Sequence, residues 1–149
     1  MLGELTGREI EHLLHSQWVA RLGLHAEGLT YVVPVNYAYD GQAVYAHSND
    51  GLKLRLLRAN PSVCVEVDHA ENLVNWKSVI AWGRFEELHG TAALAAQELI
   101  VARFSPLMAA HATSPTHWRP SPNEADASVP QATIYRIVLD RKTGRFERR

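Results

Sequence analysis

The chain has 149 residues, 46% of them apolar and 21% charged, with a formal net charge of −1. That length fits one domain, able to bury about two-thirds of its unfolded surface without a disulfide or metal staple, and it is too short for a dehydrogenase with separate dinucleotide and substrate domains. The balanced charge gives no field to attract nucleic acid or an anionic membrane, and no apolar run approaches the ~20 residues of a membrane span.

A single cysteine, Cys64, rules out an internal disulfide and a Cys-x-x-Cys zinc site. The opening run MLGELTGREI is charged and lacks an apolar signal core, so the expected setting is the reducing cytoplasm. Thr6, with Glu9 three residues on, is a capping box for a short helix whose Ile10, Leu13 and Leu14 form one apolar face. From Trp18 to His25 the pattern alternates: Ala20, Leu22 and Leu24 share one face, Val19, Arg21 and Gly23 the other. Glu27-Gly28 makes a turn into Leu29–Tyr39, a Val- and Tyr-rich strand in which Pro34 signals an edge, a bulge or a kink. Asp40-Gly41 predicts a hairpin into a third strand, Gln42–His47, so these three strands are expected to form an antiparallel meander.

A polar loop, Ser48 to Gly51, leads into a helix from Leu52 to about Arg58, stopped by Asn60-Pro61. Ser62–Asp68 alternates as a strand, with Cys64 read as an inert buried thiol, and His69–Lys77 reads as a loop. Ser78–Leu88 is a longer strand in which Gly83 marks a bulge or a barrel corner. Thr91–Phe104 is the longest predicted helix. Residues 105–130 hold five prolines and read as an extended loop, either mobile or a cover over a functional site. Ala132–Leu139 is a final strand, with a turn expected at Lys142-Thr143-Gly144. Short strands at regular spacing with three helices point to a mainly β class and a barrel.

No nucleophile elbow, zinc-protease, P-loop or dinucleotide fingerprint is present. The informative stretch is Tyr45 to Leu54, where a strand ends in polar residues and a glycine opens a helix. Free backbone N–H groups at that helix start, the Ser48 hydroxyl and the Lys53 ammonium together suit a phosphate; a solvated cap with an exposed lysine is the plain alternative. Of eight histidines, His12 and His15 fall on the polar side of the first helix, and His111 and His117 lie in the proline-rich loop at irregular spacing, read as solvent-exposed with a metal or a cofactor contact as the alternative. His47, next to the phosphate-suited loop, is placed to hydrogen-bond a cofactor or substrate. Trp76 and Trp82 are open to either core packing or burial in a cleft between copies.

Five linked segments carry a family resemblance: Tyr31 to Tyr37, Tyr45 to Ser48, Gly51 to Leu54, Leu57 to Cys64 and Ser78 to Glu87. In order and spacing, over about residues 5 to 105, the chain resembles the pyridoxamine 5'-phosphate oxidase-like, FMN-binding split-barrel superfamily, and within it the nitroimidazole-resistance (Nim-like) flavoprotein branch. The resemblance implies a six-stranded antiparallel split β-barrel with short flanking helices, one such domain over residues 1–149, and a homodimer with FMN at the interface. It implies that Val33, Pro34, Val35 and Asn36 run beside the flavin ring, that His47 and Ser48 contact the ribityl-phosphate region, and that Lys53 grips the phosphate. Trp76, Ser78 and Val79 match the segment that approaches the flavin from the partner chain.

The oxidase carries Ser-Arg-Lys where this chain has Gly51-Leu52-Lys53, so Arg55 or Arg58 is the candidate to replace the missing arginine. The C-terminal run Gly144 to Arg149 has no counterpart of the oxidase's pyridoxal phosphate motif, which argues against vitamin B6 oxidation. The implied activity is an FMN-dependent oxidoreductase taking electrons from a reduced nicotinamide and reducing a small electrophilic, nitroaromatic-like acceptor. The alternatives are a split barrel that binds haem or a deazaflavin, and a non-catalytic flavin-binding or sensor protein.

Overall fold

The computed structural model describes residues 1–111 and 132–149. The elements in chain order are β1 (Leu2–Glu4), α1 (Gly7–Ser16), β2 (Val19–Ala26), β3 (Leu29–Asn36), β4 (Ala38–Tyr39), β5 (Ala43–Ser48), α2 (Leu52–Ala59), β6 (Ser62–Asn72), β7 (Asn75–Glu87), α3 (Gly90–His111) and β8 (Thr133–Glu147). The strands form one antiparallel sheet in the order β3-β2-β6-β7-β8-β5-β4, with β1 paired to β8. The expected split-barrel class holds, with eight strands among the described residues rather than six: six long ones and the short β1 and β4.

The sheet closes because its two ends are consecutive in the chain. β3 lies at one edge and β4 at the other, and only Tyr37 separates them. The Tyr37 amide still donates to Trp18 O on the β2 side at 3.2 Å, whereas Ala38 already pairs with Tyr45 of β5. The strand therefore leaves one neighbour and takes up the other within one residue. This corrects the expected meander: β2 and β3 pair, and β4 and β5 pair, but β3 and β5 sit at opposite ends of the sheet path. Pro34, which cannot donate to a ladder, lies on the edge strand as its chemistry demands.

Alternation sends Leu22, Leu24, Val65, Val67, Val79, Ala81, Tyr135 and Ile137 into the barrel core, all at most 3% exposed. The predicted capping box of α1 is present: Glu9 N donates to Thr6 Oγ1 at 3.2 Å and Thr6 N to Glu9 Oε2 at 2.8 Å. α1 adds Ile10, Leu13 and Leu14 to the core near the Gly144 end of β8, while α2 adds Leu54, Leu56 and Leu57 at the opposite end of the barrel. α3 covers the outer side of β4 and β5, where Ile100 and Phe104 cluster with Ala38 and Tyr45.

Gly83 sits at the expected bulge. Trp82 pairs with Arg141 but Gly83 with Leu139, which leaves Asp140 without a partner on β7. A Cβ at Gly83 would collide with the Val138 carbonyl oxygen, so the strands approach where only glycine fits. Other expectations are corrected. β8 runs straight through Lys142-Thr143-Gly144, and Gly144 is required there because a Cβ would lie 2.8 Å from the Leu5 side chain. The His69–Lys77 loop is a hairpin, with β6 reaching Asn72 and β7 starting at Asn75. Residues 105–111 of the expected loop are helical instead, since α3 continues through Pro106 to His111 while Leu107 stays packed on the Ala38 cluster. Residues 112–131, with His117 and four of those five prolines, lie outside the described residues.

Candidate functional site

The switch of partners at Tyr37 leaves a seam between β3 and β5, the strands that carry two of the segments singled out in the sequence. Carried back past Ala38, the β4–β5 register would set Asn36 beside His47 and Val35 beside Ser48, but β3 pairs only with β2, so no ladder closes there. Along β3 the side chains alternate: Val33 and Val35 turn to the core, Val35 at 8% exposure, while Pro34 and Asn36 face outward and are exposed. The β3 edge thus presents backbone amides and carbonyls interrupted at Pro34, a flat and largely apolar border with a few polar groups.

At the end of β5, His47 is exposed and Ser48 half-buried. Ser48 Oγ donates to Asn49 O at 2.9 Å. The His47 ring reaches solvent, yet the protein mass around it and then the charge of Lys53 hold its pKa below the ordinary 6.5, which favours neutral imidazole. Lys53 follows in the first turn of α2, half-buried, and burial lowers its pKa as well. Among the described residues no carboxylate pairs with it. α2 opens at Gly51 with no side-chain cap and no acidic residue in its first turn. The first turn of α2 thus holds leading N–H groups and one partly desolvated ammonium with no acidic residue of its own, a donor set that fits a phosphate.

The two arginines considered as substitutes for the family's missing one are both committed elsewhere. Arg55 pairs with Glu27 at 2.6 Å, and Arg58 grips Glu87 in two bonds at 2.8 and 3.1 Å with Asp50 at 3.5 Å. That leaves Lys53 as the available cation of α2. The pairings were invisible in the sequence because Glu27 and Glu87 are brought to α2 only by the ends of β2 and β7.

Trp76, Ser78 and Val79 are not brought to this seam within one chain. They lie on β7, three places from β3 along the sheet path. Trp76 and Ser78 are half-buried and share the outward-facing parity of Ile80 and Trp82, whereas Val79 is fully buried in the core, which leaves only its backbone for any contact. Cys64 is half-exposed rather than buried, on this same outer face, and burial followed by the Glu66 charge raises its pKa, so its thiol stays protonated. The outer apolar face was a missed feature. Its signal was the run Val79-Ile80-Ala81-Trp82, apolar on both parities, as in strands covered on both sides.

A sequence model of the pyridoxamine 5'-phosphate oxidase family matches residues 6–146. The solved structure of a FAD-binding protein from Mesorhizobium loti is 28% identical, with 99% of each chain covered and a TM-score of 0.77. A candidate 5-nitroimidazole antibiotic resistance protein from Bacteroides thetaiotaomicron shares the fold at 20% identity, with 98% of this chain and 87% of that one covered and a TM-score of 0.75. An uncharacterized protein from Rhizobium meliloti is 36% identical over 73 residues, so the match spans about half of each chain, 49% of this one and 48% of that one. No helix among the described residues is long and apolar enough to cross a membrane. With the barrel and the seam in place and nearly the whole sequence inside the matched region, this chain belongs to the pyridoxamine 5'-phosphate oxidase family.

Proposed function

We propose that this chain is a flavin-binding oxidoreductase that holds FMN at the seam beside β3, with the site completed by a second copy. The observation that carries the reading is Lys53: a half-buried ammonium without a carboxylate partner among the described residues, set at the uncapped start of α2. The relatives named for FAD binding add support, because FAD contains the same riboflavin 5'-phosphate.

In this reading Lys53 and the first N–H groups of α2 hold the phosphate, and Ser48 rotates away from Asn49 to donate to it. The Pro34 carbonyl and the Asn36 backbone groups face the ring on the open side of β3, Val33 and Val35 hold that edge in place by pairing with β2, and Pro34 leaves a gap in the donor row. His47, neutral at pH 7, supplies one hydrogen bond near the ribityl chain. Trp76 and Ser78 of the second copy close the slot and exclude water, with the Val79 backbone behind them. When bound, the flavin supplies electron transfer between a reduced nicotinamide donor and a small electrophilic, nitroaromatic-like acceptor.

The test is the absorbance spectrum of the purified protein, before and after adding FMN or FAD. Flavin absorbance retained through gel filtration supports the reading; a protein that retains neither flavin overturns it. Lys53→Ala should weaken FMN binding about tenfold or more, the scale of one charge-assisted contact, and unchanged affinity would place the phosphate elsewhere.

A further inference from the structure

The sequence offers α2 a cap of its own, and the fold leaves it unused. Ser48, Asn49 and Asp50 precede Gly51, and all three are residue types that accept from the first N–H groups of a helix. Yet α2 opens with no side-chain cap. Asp50 also stands three residues before Lys53, a spacing at which an acid and a base meet along a helix, and Lys53 has no carboxylate partner among the described residues. The Asp50 carboxylate goes to Arg58 instead, its Oδ1 3.5 Å from Nη1. The Asp50 side chain is 84% exposed, so this contact and not burial decides where the carboxylate lies. Arg58 comes from the last turn of α2 and is itself anchored, with Nε and Nη2 donating to the two carboxylate oxygens of Glu87 at 3.1 and 2.8 Å. A planar guanidinium held by its fork on one carboxylate has its remaining nitrogen fixed in direction, and here that nitrogen faces Asp50.

We propose that Arg58 is a positioning residue for the flavin phosphate: held by Glu87, it keeps the Asp50 carboxylate off Lys53 and off the leading N–H groups of α2. Released, Asp50 takes the donors that a phosphate needs, because a carboxylate and a phosphate accept from the same groups. An incoming phosphate must then displace it. Affinity for a phosphorylated ligand falls, and affinity for the same ligand without its phosphate does not. The proposal rests on the reading of Lys53 and α2 as the phosphate-holding groups and adds to it what keeps them open. Arg58 thereby serves the phosphate without touching it.

The test titrates flavin-free, full-length protein with FMN and with riboflavin, which has the same ring and ribityl chain but no phosphate, and follows flavin fluorescence. The proteins are the wild type, R58Q, D50A and R58Q/D50A. R58Q is expected to bind FMN about fivefold more weakly, the scale of one helix cap, with riboflavin affinity unchanged. D50A alone is expected to bind FMN as the wild type does, and R58Q/D50A to recover wild-type affinity, so the two substitutions are not additive. Additive effects, with D50A tightening FMN as much as R58Q loosens it, would make both residues distant charges and overturn the proposal. Unchanged FMN affinity in R58Q, a loss that riboflavin shares, or a loss that D50A does not reverse overturns it as well. These outcomes leave the flavin reading standing, whereas a wild-type protein that binds neither FMN nor riboflavin overturns both. Should R58Q fail to fold by circular dichroism, R58M, which keeps the apolar stem, is read by the same criteria.

Discussion

Two buried tyrosines make opposite predictions from the same substitution. Tyr37 is 1% exposed, and its hydroxyl donates to Leu14 O at 2.6 Å. Leu14 lies in the last turn of α1, where carbonyls have run out of helical N–H partners, so Tyr37 supplies a missing donor from the link between β3 and β4. Tyr37→Phe removes a bond with a net contribution near 1 kcal/mol and strands a buried carbonyl, for a total loss of about 2 kcal/mol. Tyr135 is fully buried, with its ring against Phe85 at 5.4 Å, and its hydroxyl has no hydrogen-bond partner among the described residues. Tyr135→Phe keeps the ring and deletes the unsatisfied group, and should gain about 1 kcal/mol. For a chain of this size that separates the two variants by about 9 °C in melting temperature, at about 3 °C per kcal/mol. Urea unfolding of the flavin-free protein, followed by far-ultraviolet circular dichroism, gives both values on one scale. If Tyr135→Phe loses 1 kcal/mol or more, the hydroxyl has a partner inside the barrel and the reasoning fails.

Gly83→Ala should cost about 2 kcal/mol in the same assay, because its Cβ meets backbone atoms of Val138 that cannot rotate away; a neutral result would show that the bulge slides. Thr6→Ala opens the capping box and should cost about 1 kcal/mol, with no change in flavin affinity measured by fluorescence quenching. Glu11 sets an acid limb: burial pushes its carboxyl up, but hydrogen bonds from Lys142 and Tyr39 outweigh this and hold it below the ordinary 4.5. Its contribution is therefore present above pH 4.5 and lost as the pH falls through the lowered value, and Glu11→Gln should flatten that part of the stability profile.

Local chemistry was legible wherever a residue's own backbone preference decided the outcome. The capping box at Thr6 and Glu9, the Asp40-Gly41 hairpin and the edge placement of Pro34 all follow from groups within four residues of one another. Gly83 and Gly144 look alike in sequence, yet both owe their place to close approach, one to Val138 and one to Leu5, and neither to a turn. Pro106 forfeits one helical bond, but the packing of Leu107 on the Ala38 cluster carries α3 past it. The candidate site divides along the same line. The Ser48 to Lys53 segment is contiguous and could be read from its donors, whereas the capture of Arg55 and Arg58 by Glu27 and Glu87 depends on strand ends that meet only in the folded barrel.

The one-residue link at Tyr37 gives the seam a shape. Ala38 pairs with Tyr45 while Asn36, two trans peptide steps and at most about 7 Å away, pairs with Val19, so covalent geometry fixes where the two edges part. At the other end, β3 begins at Leu29 and β5 finishes at Ser48, and no short tether joins them. The gap between the two edges therefore opens from a point that the chain itself sets at Tyr37. Its apex is set by peptide bond lengths before any side chain is chosen.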